Sequence, residues 1–293
     1  MASERPRWYV HAYNRAEFYR LVAAMAWLPR AARLALAGRV GRMVSRLLPA
    51  ERAAIRKTLG IVTGATDRRL QELTSEVFAE FARCFSDLVS SSRHPPPTLL
   101  GRVGARSGTE HLDRLEGAVI SLTAHVGNWD LAGRLLARRS ARPTHVVVEV
   151  EEAPSLERWL RRDADGIRFV PRSQPTISLA LMAALRRGEA VALQGDRALG
   201  NRGDVWVPFF GCPAPFPVGP FRLARAANVP VLPAFCTLDA DQRYAVRLLE
   251  PLVVASGGEE DALRAWVAIL ERIVRERPTQ WFNFFDIWNP FGA

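Results

Sequence analysis

The chain has little cysteine and no long apolar run. Its 293 residues include three cysteines at positions 84, 212 and 236, with no paired spacing. A reducing compartment, or indifference to disulfides, is the simple interpretation. No stretch reaches the roughly 18 apolar residues that a transmembrane helix needs. The apolar segment 21–28 stops at Pro29 and has no cleavage-site pattern. We therefore expect a soluble or peripheral protein.

Several motifs of known chemistry are also missing from the sequence. There is no Gly-x-Ser-x-Gly elbow, so a serine hydrolase with its own nucleophile is poorly supported. Without a Walker A pattern or a dinucleotide fingerprint, nucleotide hydrolysis and hydride transfer are disfavoured. No metal-ligand spacing is present, so neither a metal nor a cofactor is predicted. Nucleic acid is not an expected partner, because zinc spacing, RNP-like runs and basic-aromatic interleaving are absent.

Positive charge is concentrated at the N-terminus. Residues 1–60 contain twelve basic residues and three acidic ones, which accounts for +9 of the net charge of +10. Such a region is typical of docking on an anionic membrane surface or on an acidic carrier protein.

Residues 17–48 are predicted to form one or two amphipathic helices, broken at Pro29. An apolar stripe comprises Leu34, Leu36, Val40, Met43, Val44, Leu47 and Leu48, and the other face has Arg30, Arg33, Arg39, Arg42 and Arg46. A helix of this kind can lie in a membrane interface. It can equally be a surface helix that packs on the core with solvated arginines, and the pattern does not separate the two.

The rest of the chain predicts an α/β fold. Helices are expected at 51–62 and 67–91, and strands alternate with helices after Pro97. Strands are predicted at 118–124, 144–150, 167–170, 190–195, 229–236 and 244–249, and helices at 129–139, 155–163, 176–187, 217–227 and 259–276. We predict one domain: a helical, basic layer over 1–100 and an α/β catalytic core over 101–293. Its central, mostly parallel sheet is flanked by helices.

The segment from Ser121 to Gly133 has the strongest chemical signal. A buried strand ends at His125, and Asp130 follows at the start of a helix. The pair can serve as a general base and its orienting acid. Without an enzyme nucleophile, such a pair would activate a hydroxyl or an amine of the bound substrate directly.

Two downstream segments are further candidates. Residues 194–203 form a glycine-containing loop in which Arg197 and Arg202 could bind phosphate, or could simply be solvated. Residues 207–220 are rich in proline and phenylalanine and are predicted to be a rigid apolar loop. That loop could line an acyl-chain site or connect a strand to a helix.

Together these segments resemble the lysophospholipid acyltransferase superfamily. The likeness is to the bacterial branch of lipid A secondary acyltransferases and phosphatidylinositol mannoside acyltransferases. His125-Val-Gly-Asn-Trp-Asp130 matches the His-x4-Asp/Glu mark of the superfamily. The elements Gly-Asp196-Arg197, Val-Pro-Phe-Phe-Gly211, Val229-Pro-Val-Leu-Pro233 and Pro278-x-Gln-Trp-Phe282 also look like this branch. The resemblance spans roughly residues 50–288.

The resemblance implies an O-acyltransferase in which His125 is the base and Asp130 its partner. A fatty acyl chain would move from acyl carrier protein or coenzyme A, as co-substrate, to a hydroxyl of a lipid or glycolipid. Asp196 would be an acidic element that also supports the histidine. The other implied substrate-binding residues are Asn128, Arg197, Phe210, Gly211 and one of Arg158, Arg161 and Arg162, of which Arg162 is preferred.

The implied location is the cytoplasmic face of the inner (plasma) membrane. The shorter basic helical region predicts peripheral attachment instead of the spanning anchor of most lipid A enzymes. Two alternatives stay open: an N-acyltransferase that makes an amide-linked lipid, and a non-catalytic membrane-binding protein with a vestigial core.

Overall fold

The computed structural model describes residues 22, 24–91, 101–140, 142–148, 166–200 and 203–290. Within these ranges helices come first, and strands begin at Val103. The first three α-helices are α1 (Arg30–Val44), α2 (Pro49–Thr63) and α3 (Asp67–Ser91). Helices α2 and α3 confirm the predictions for 51–62 and 67–91. A short 3₁₀ helix, Met25–Trp27, precedes α1, which begins directly after Pro29.

Helix α1 packs on α3 with a different face from the one predicted. Its buried side contains small residues and one arginine, and consists of Arg33, Leu34, Ala37, Gly38 and Gly41. Small residues let the two backbones approach closely, and Arg33 pairs with Asp87 at 2.9 Å. The prediction that the arginines lie opposite the packed face is therefore wrong for Arg33. Most of the predicted apolar stripe is exposed, namely Leu36, Val40, Met43 and Leu47.

Nine strands and five more helices follow in the described residues. The strands are β1 (Val103–Ser107), β2 (Val119–Thr123), β3 (Thr144–Val148), β4 (Ile167–Pro171), β5 (Ala190–Gln194), β6 (Asp204–Phe209), β7 (Cys212–Pro217), β8 (Val231–Leu238) and β9 (Tyr244–Leu248). The helices are α4 (Thr109–Asp113), α5 (Trp129–Ser140), α6 (Ile177–Arg186), α7 (Gly219–Ala227) and α8 (Glu259–Glu276), and a 3₁₀ helix spans Pro278–Gln280.

The main sheet has the order β1-β9-β8-β2-β5-β3-β4. All its neighbouring strands are parallel except β8 and β9, which are antiparallel. The predicted mostly parallel sheet is therefore confirmed, and six of its strands were predicted within a few residues. Strand β1 was not predicted, because one buried residue in five leaves little apolar signal. The predicted helix at 155–163 lies outside the described residues.

The central strands β2 and β8 are buried along their whole length. One cluster of apolar side chains joins the sheet to α6, α7 and α8, and another joins it to α2, α3 and α5. Successive residues of a strand point to opposite faces, so Phe235 belongs to the first cluster and Cys236 to the second. Helices thus cover both faces of the sheet.

Strands β6 and β7 form a separate antiparallel hairpin where a rigid apolar loop was predicted. The two-residue turn is Phe210-Gly211, with φ of 49° and 78°. Positive φ at both positions is the type I′ geometry that matches the twist of a hairpin. Prolines normally argue against a strand, but a two-stranded hairpin has free edges that tolerate them. Those prolines explain why the hairpin was missed.

No helix among the described ranges is long and apolar enough to cross a bilayer.

Candidate active site

His125 and Asp196 lie side by side because their strands are parallel neighbours. Strands β2 and β5 pair in register as far as Thr123 and Gln194, and each site residue follows its strand by two positions. Open α/β sheets bind their ligands at the carboxyl ends of the strands, which is where both residues lie. The Nδ1 atom of His125 lies 2.8 Å from Oδ1 of Asp196. The backbone N–H of His125 donates to Oδ2 of the same carboxylate at 3.0 Å.

The Asp196 carboxylate is fully buried and also accepts a hydrogen bond from the C-terminal segment. The indole N–H of Trp281 donates to Oδ2 at 3.0 Å. Burial by itself would raise the pKa of Asp196. The charge interaction and hydrogen bonds with His125, together with the positive charge of Arg197, lower that pKa to about 2. Asp196 is therefore ionised at neutral pH.

The surroundings of His125 favour the neutral form of its ring. Its side chain is 12% exposed. Burial, and then repulsion from Arg197, lowers the pKa of His125 below 6.5, although Asp196 opposes the shift. An ionised carboxylate can only accept, so Nδ1 is assigned the ring proton and Nε2 the free lone pair. A neutral imidazole with this tautomer can take a proton from a substrate at Nε2.

The turn after His125 is fixed by backbone hydrogen bonds to two other elements. Gly127 N–H donates to Gln280 O at 2.8 Å, Asn128 N–H to Cys236 O at 2.7 Å, and Phe282 N–H to His125 O at 2.8 Å. Gly127 has φ of +59°, and a Cβ there would lie 2.2 Å from Cys236 O. Only glycine fits this position, because a side chain would be strained and would clash with β8.

The Nδ1 partner of His125 differs from the one predicted. The sequence assigned this role to Asp130, and the structure gives the Nδ1 hydrogen bond to Asp196. The reason is the strand order of the sheet. Strands β2 and β5 are parallel neighbours in register, so His125 and Asp196 lie beside each other at the ends of the two strands. Asp130 is half-buried in the first turn of α5, where the helix dipole favours an anion. The prediction that Asp130 orients His125 is thus corrected, and its importance for catalysis stays a prediction.

The side chain of Asn128 is buried, and its hydrogen bonds stabilise the turn in which it lies. Its Oδ1 accepts the backbone N–H of Leu131 at 3.2 Å, which caps the start of α5. Its Nδ2 donates to the hydroxyl of Tyr244 at 3.1 Å and reaches Cys84 O at 3.4 Å. These contacts give Asn128 a structural role, and its predicted contact with substrate stays a prediction.

In the loop after β5, the backbone around Gly200 does not offer a free site for an anion. The backbone N–H groups of Leu199 and Gly200 both donate to the Asp204 carboxylate, at 2.7 to 3.0 Å. A carboxylate of the chain thus occupies the position that an anion would take at these two amides, and phosphate binding by Arg197 and Arg202 stays a prediction. Arg197 donates to Phe282 O at 3.0 Å and lies over the Phe285 ring, 5.7 Å from its centroid. Arg202, like Arg158, Arg161 and Arg162, lies outside the described residues.

Phe210 and Gly211, predicted to bind substrate, form the turn of the hairpin. The backbone N–H of Phe210 donates to Glu271 of α8, and Arg275 lies 4.9 Å from the centre of its ring. The ring of the preceding Phe209 is buried and packs edge-on against Trp281, with the two ring centroids 5.4 Å apart. A substrate contact by Phe210 or Gly211 stays a prediction.

Trp281 is a site residue whose role sequence reasoning missed. The Gln-Trp-Phe element was noted as part of the family resemblance, with no hydrogen bond assigned to Trp281. A tryptophan among aromatics gives no signal of a hydrogen bond to a carboxylate 85 positions away. Only the fold brings the two together.

The buried cysteines are not activated nucleophiles, and the described residues contain no candidate metal site. Burial raises the pKa of Cys84 and Cys236, so neither thiol is a thiolate at neutral pH. No group of three His, Cys, Asp or Glu side chains that could hold a metal ion occurs in the part of the chain that is described. The fold and the site therefore define an α/β protein in which a histidine at the end of a central strand is hydrogen-bonded to a buried carboxylate.

Comparison with known proteins identifies the family. The sequence profile described as bacterial lipid A biosynthesis acyltransferase matches residues 11–289, and the chain belongs to this family. It is also similar to the phosphatidylinositol mannoside acyltransferases of two strains of Mycobacterium tuberculosis. Each is 27% identical over 245 residues, which cover 81% of this chain and 76% of the relative. The resemblance noted in the sequence is confirmed, and the protein is an acyltransferase of the lipid A and phosphatidylinositol mannoside acyltransferase family.

Proposed function

We propose that this protein transfers a fatty acyl chain from a thioester, on acyl carrier protein or coenzyme A, to a hydroxyl of a lipid or glycolipid. One observation supports this mechanism above others: the Nδ1 hydrogen bond to Asp196 leaves the Nε2 atom of a neutral His125 as a base. No enzyme nucleophile is needed, because the acceptor supplies the attacking oxygen.

The reaction proceeds in two proton transfers. Nε2 of His125 takes the proton of the acceptor hydroxyl while its oxygen attacks the thioester carbonyl carbon. When the tetrahedral intermediate collapses, the C–S bond breaks and the imidazolium returns the proton to the departing thiolate. The ester and a free thiol are the products, and His125 is neutral again. Asp196 stabilises the imidazolium while it exists, as the third member of a catalytic triad does.

The oxyanion donors lie outside the turn that contains His125. The backbone N–H groups of residues 125, 126, 127 and 128 all donate within the protein. An oxyanion needs donors that are free in the ground state. We therefore place these donors elsewhere at the carboxyl ends of the strands.

We propose further that the exposed face of α1 docks on the cytoplasmic surface of the inner membrane. Trp27, Met43 and Leu47 are 84%, 56% and 70% exposed, and Leu36 and Val40 continue the stripe between them. Arg39 and Arg46 are exposed on the same helix and the turn that follows it. Apolar side chains flanked by arginines match an anionic bilayer, in which the former enter the acyl region and the latter meet phosphates.

Vesicle binding tests the docking face. Exchanging Met43 and Leu47 for serine removes two exposed apolar side chains without touching the packed face of α1. We expect the double variant to co-sediment several-fold less with phosphatidylglycerol-containing vesicles than the wild type, with an unchanged melting temperature. Equal sedimentation of the two proteins would contradict the docking face and leave the catalytic proposal intact.

Acyl transfer itself is tested with a panel of donors and acceptors. Purified protein is incubated with acyl carrier protein or coenzyme A thioesters and with phosphatidylinositol mannosides, lipid A precursors or total membrane lipids. We expect one lipid to gain the mass of an acyl chain, and the product to be absent with His125→Ala. Mild alkali distinguishes the alternative chemistry, because an ester is cleaved and an amide persists. Undiminished transfer by His125→Ala would refute the mechanism.

A further inference from the structure

We propose that Tyr244 and Asp87 are positioning residues for His125, which act through the side chain of Asn128. The inference rests on the proposed function of His125 as the base. It gives a role in the reaction to two buried residues of β9 and α3 that do not touch the His125–Asp196 pair.

A chain of side-chain hydrogen bonds leads from the catalytic turn into the helical layer. Asn128 Nδ2 donates to the Tyr244 hydroxyl at 3.1 Å, and that hydroxyl donates to Oδ2 of Asp87 at 3.1 Å. All three side chains are buried. We call these three residues the relay.

The directions of these hydrogen bonds are set by charge. Asp87 is an ion that can only accept, because burial, which would raise its pKa, is outweighed by Arg30 and by the other arginines nearby. Burial raises the pKa of Tyr244 well above 10, so its hydroxyl keeps its proton. The phenol must therefore donate to Asp87, and its lone pair is turned toward Asn128.

Three arginines fix the far end of the relay. Arg30 Nη2 lies 2.6 Å from Asp87 Oδ2, Arg33 Nη2 lies 2.9 Å from Oδ1, and Arg102 Nη1 lies 3.4 Å from Oδ1. Arg33 also donates to Ser86 O and Ser86 Oγ, at 2.5 and 2.8 Å. Because both Arg30 and Arg33 belong to α1, the relay connects the helix that we propose as the docking surface to the turn that contains the base.

Asn128 is the point at which the relay can influence catalysis. It lies three residues after His125 and caps α5. The backbone hydrogen bonds of the turn define its path, whereas the relay fixes the Asn128 side chain and hence the angle at which α5 begins. A shift of about 1 Å at a catalytic group can lower a rate about a hundredfold. Loss of the relay should therefore lower kcat while substrate affinity is preserved.

The test compares kinetics and stability for four variants of the full chain. Tyr244→Phe removes only the shared hydroxyl, Asp87→Asn keeps the shape of the carboxylate, and Asn128→Ala removes the cap. Glu189→Gln is the matched control: it also neutralises a buried carboxylate, which contacts His145 at 2.7 Å and Arg187 at 2.7 Å. Glu189 precedes β5, whereas His125 follows β2, so the two residues lie at opposite ends of these parallel strands.

We expect Tyr244→Phe and Asp87→Asn to lower kcat about tenfold, with KM for both substrates within about twofold of wild type. Glu189→Gln should keep the wild-type kcat at a temperature where circular dichroism shows every variant folded. Adding Tyr244→Phe to Asn128→Ala should lower kcat no further, because residues that act in series are not additive.

Three results would overturn the relay: an unchanged kcat in Tyr244→Phe, an equal loss in Glu189→Gln, or multiplied losses in the double variant. If Tyr244→Phe does not fold, Asp87→Asn is combined with Asn128→Ala and judged by the same criteria. The His125→Ala variant separates this proposal from the proposed function. If that variant keeps activity, the function of the base is wrong; if it is inactive while Tyr244→Phe has full kcat, only the relay is wrong.

Discussion

Replacing Asp196 by asparagine changes the His125–Asp196 pair at one atom and leaves its shape. The carboxylate accepts hydrogen bonds from the His125 backbone N–H, His125 Nδ1 and Trp281 Nε1. An amide can still accept at its oxygen, but it turns an N–H2 group toward one of these donors. If that group faces Nδ1, the ring proton moves to Nε2, and the base loses its lone pair on the substrate side.

The expected magnitude follows from tautomer and charge together. In a serine protease triad the same exchange lowers kcat about 10⁴-fold through the wrong tautomer, so we expect a loss on the order of 10³ to 10⁴-fold here. Folding lowers the pKa of Asp196 from 3.8 to about 2, so ionised Asp196 stabilises the folded protein relative to the unfolded chain. This contribution is present above pH 3.8 and is lost as the pH falls toward 2. Asp196→Asn should therefore also lower the free energy of unfolding at neutral pH.

The assay is single-turnover transfer of a radiolabelled acyl chain, with Asp130→Asn as the matched carboxylate-to-amide control. We expect Asp196→Asn to lose more activity than Asp130→Asn, because Asp196 makes the Nδ1 contact. Urea unfolding of both variants measures the stability difference. The reasoning is refuted if Asp196→Asn keeps more than a tenth of the wild-type rate while Asp130→Asn abolishes transfer.

Three further predictions concern the surroundings of the pair. Trp281→Phe removes the indole N–H that donates to Asp196 Oδ2. The pKa of Asp196 should therefore rise, and kcat should fall about tenfold. A wild-type kcat would show that this hydrogen bond is dispensable. Gly127→Ala should destabilise the protein by more than about 2 kcal/mol in urea unfolding, because the new Cβ would lie 2.2 Å from Cys236 O. An unchanged unfolding midpoint would contradict the described conformation of the turn. The acid limb of kcat/KM should lie below pH 6.5, since His125 must be neutral and its pKa is lowered; a limb above 6.5 would contradict the assigned environment.

Sequence reasoning reached those features that depend on local pattern. The mostly apolar run of β2 and the aromatic stripe of α3 have the patterns of a buried strand and an amphipathic helix, and both elements were predicted correctly. The position of His125 at the end of a strand followed from the same signal. Such features need no knowledge of which strands are neighbours.

The partner of His125 depends on strand order, which sequence spacing does not contain. Strand β5 lies beside β2 although β3 and β4 come between them in the chain. Asp130, five residues away, was the nearest carboxylate in sequence, whereas Asp196 is nearest in space. The resemblance to the family made Asp130 the partner of His125 and gave Asp196 only an additional supporting role, so it ranked the two carboxylates in the wrong order for the Nδ1 contact.

The orientation of α1 was missed for a related reason. Arg33 has an arginine's usual preference for solvent, and it is buried only because Asp87 on α3 lies opposite. A charge pair between residues 54 positions apart leaves no periodic trace in either helix. The pattern therefore identified the stripe of α1 but not the face that packs.

The ring of His125 offers the most direct measurement of the central claim. Its two nitrogens can be followed by ¹⁵N NMR in histidine-labelled protein from about pH 4 to about pH 8, and assigned by the signals that disappear in His125→Gln. We predict a neutral ring with the proton on Nδ1 at pH 7 and a titration midpoint below 6.5. A proton on Nε2, or a midpoint above 6.5, would contradict the assignment of His125 as a base oriented by Asp196.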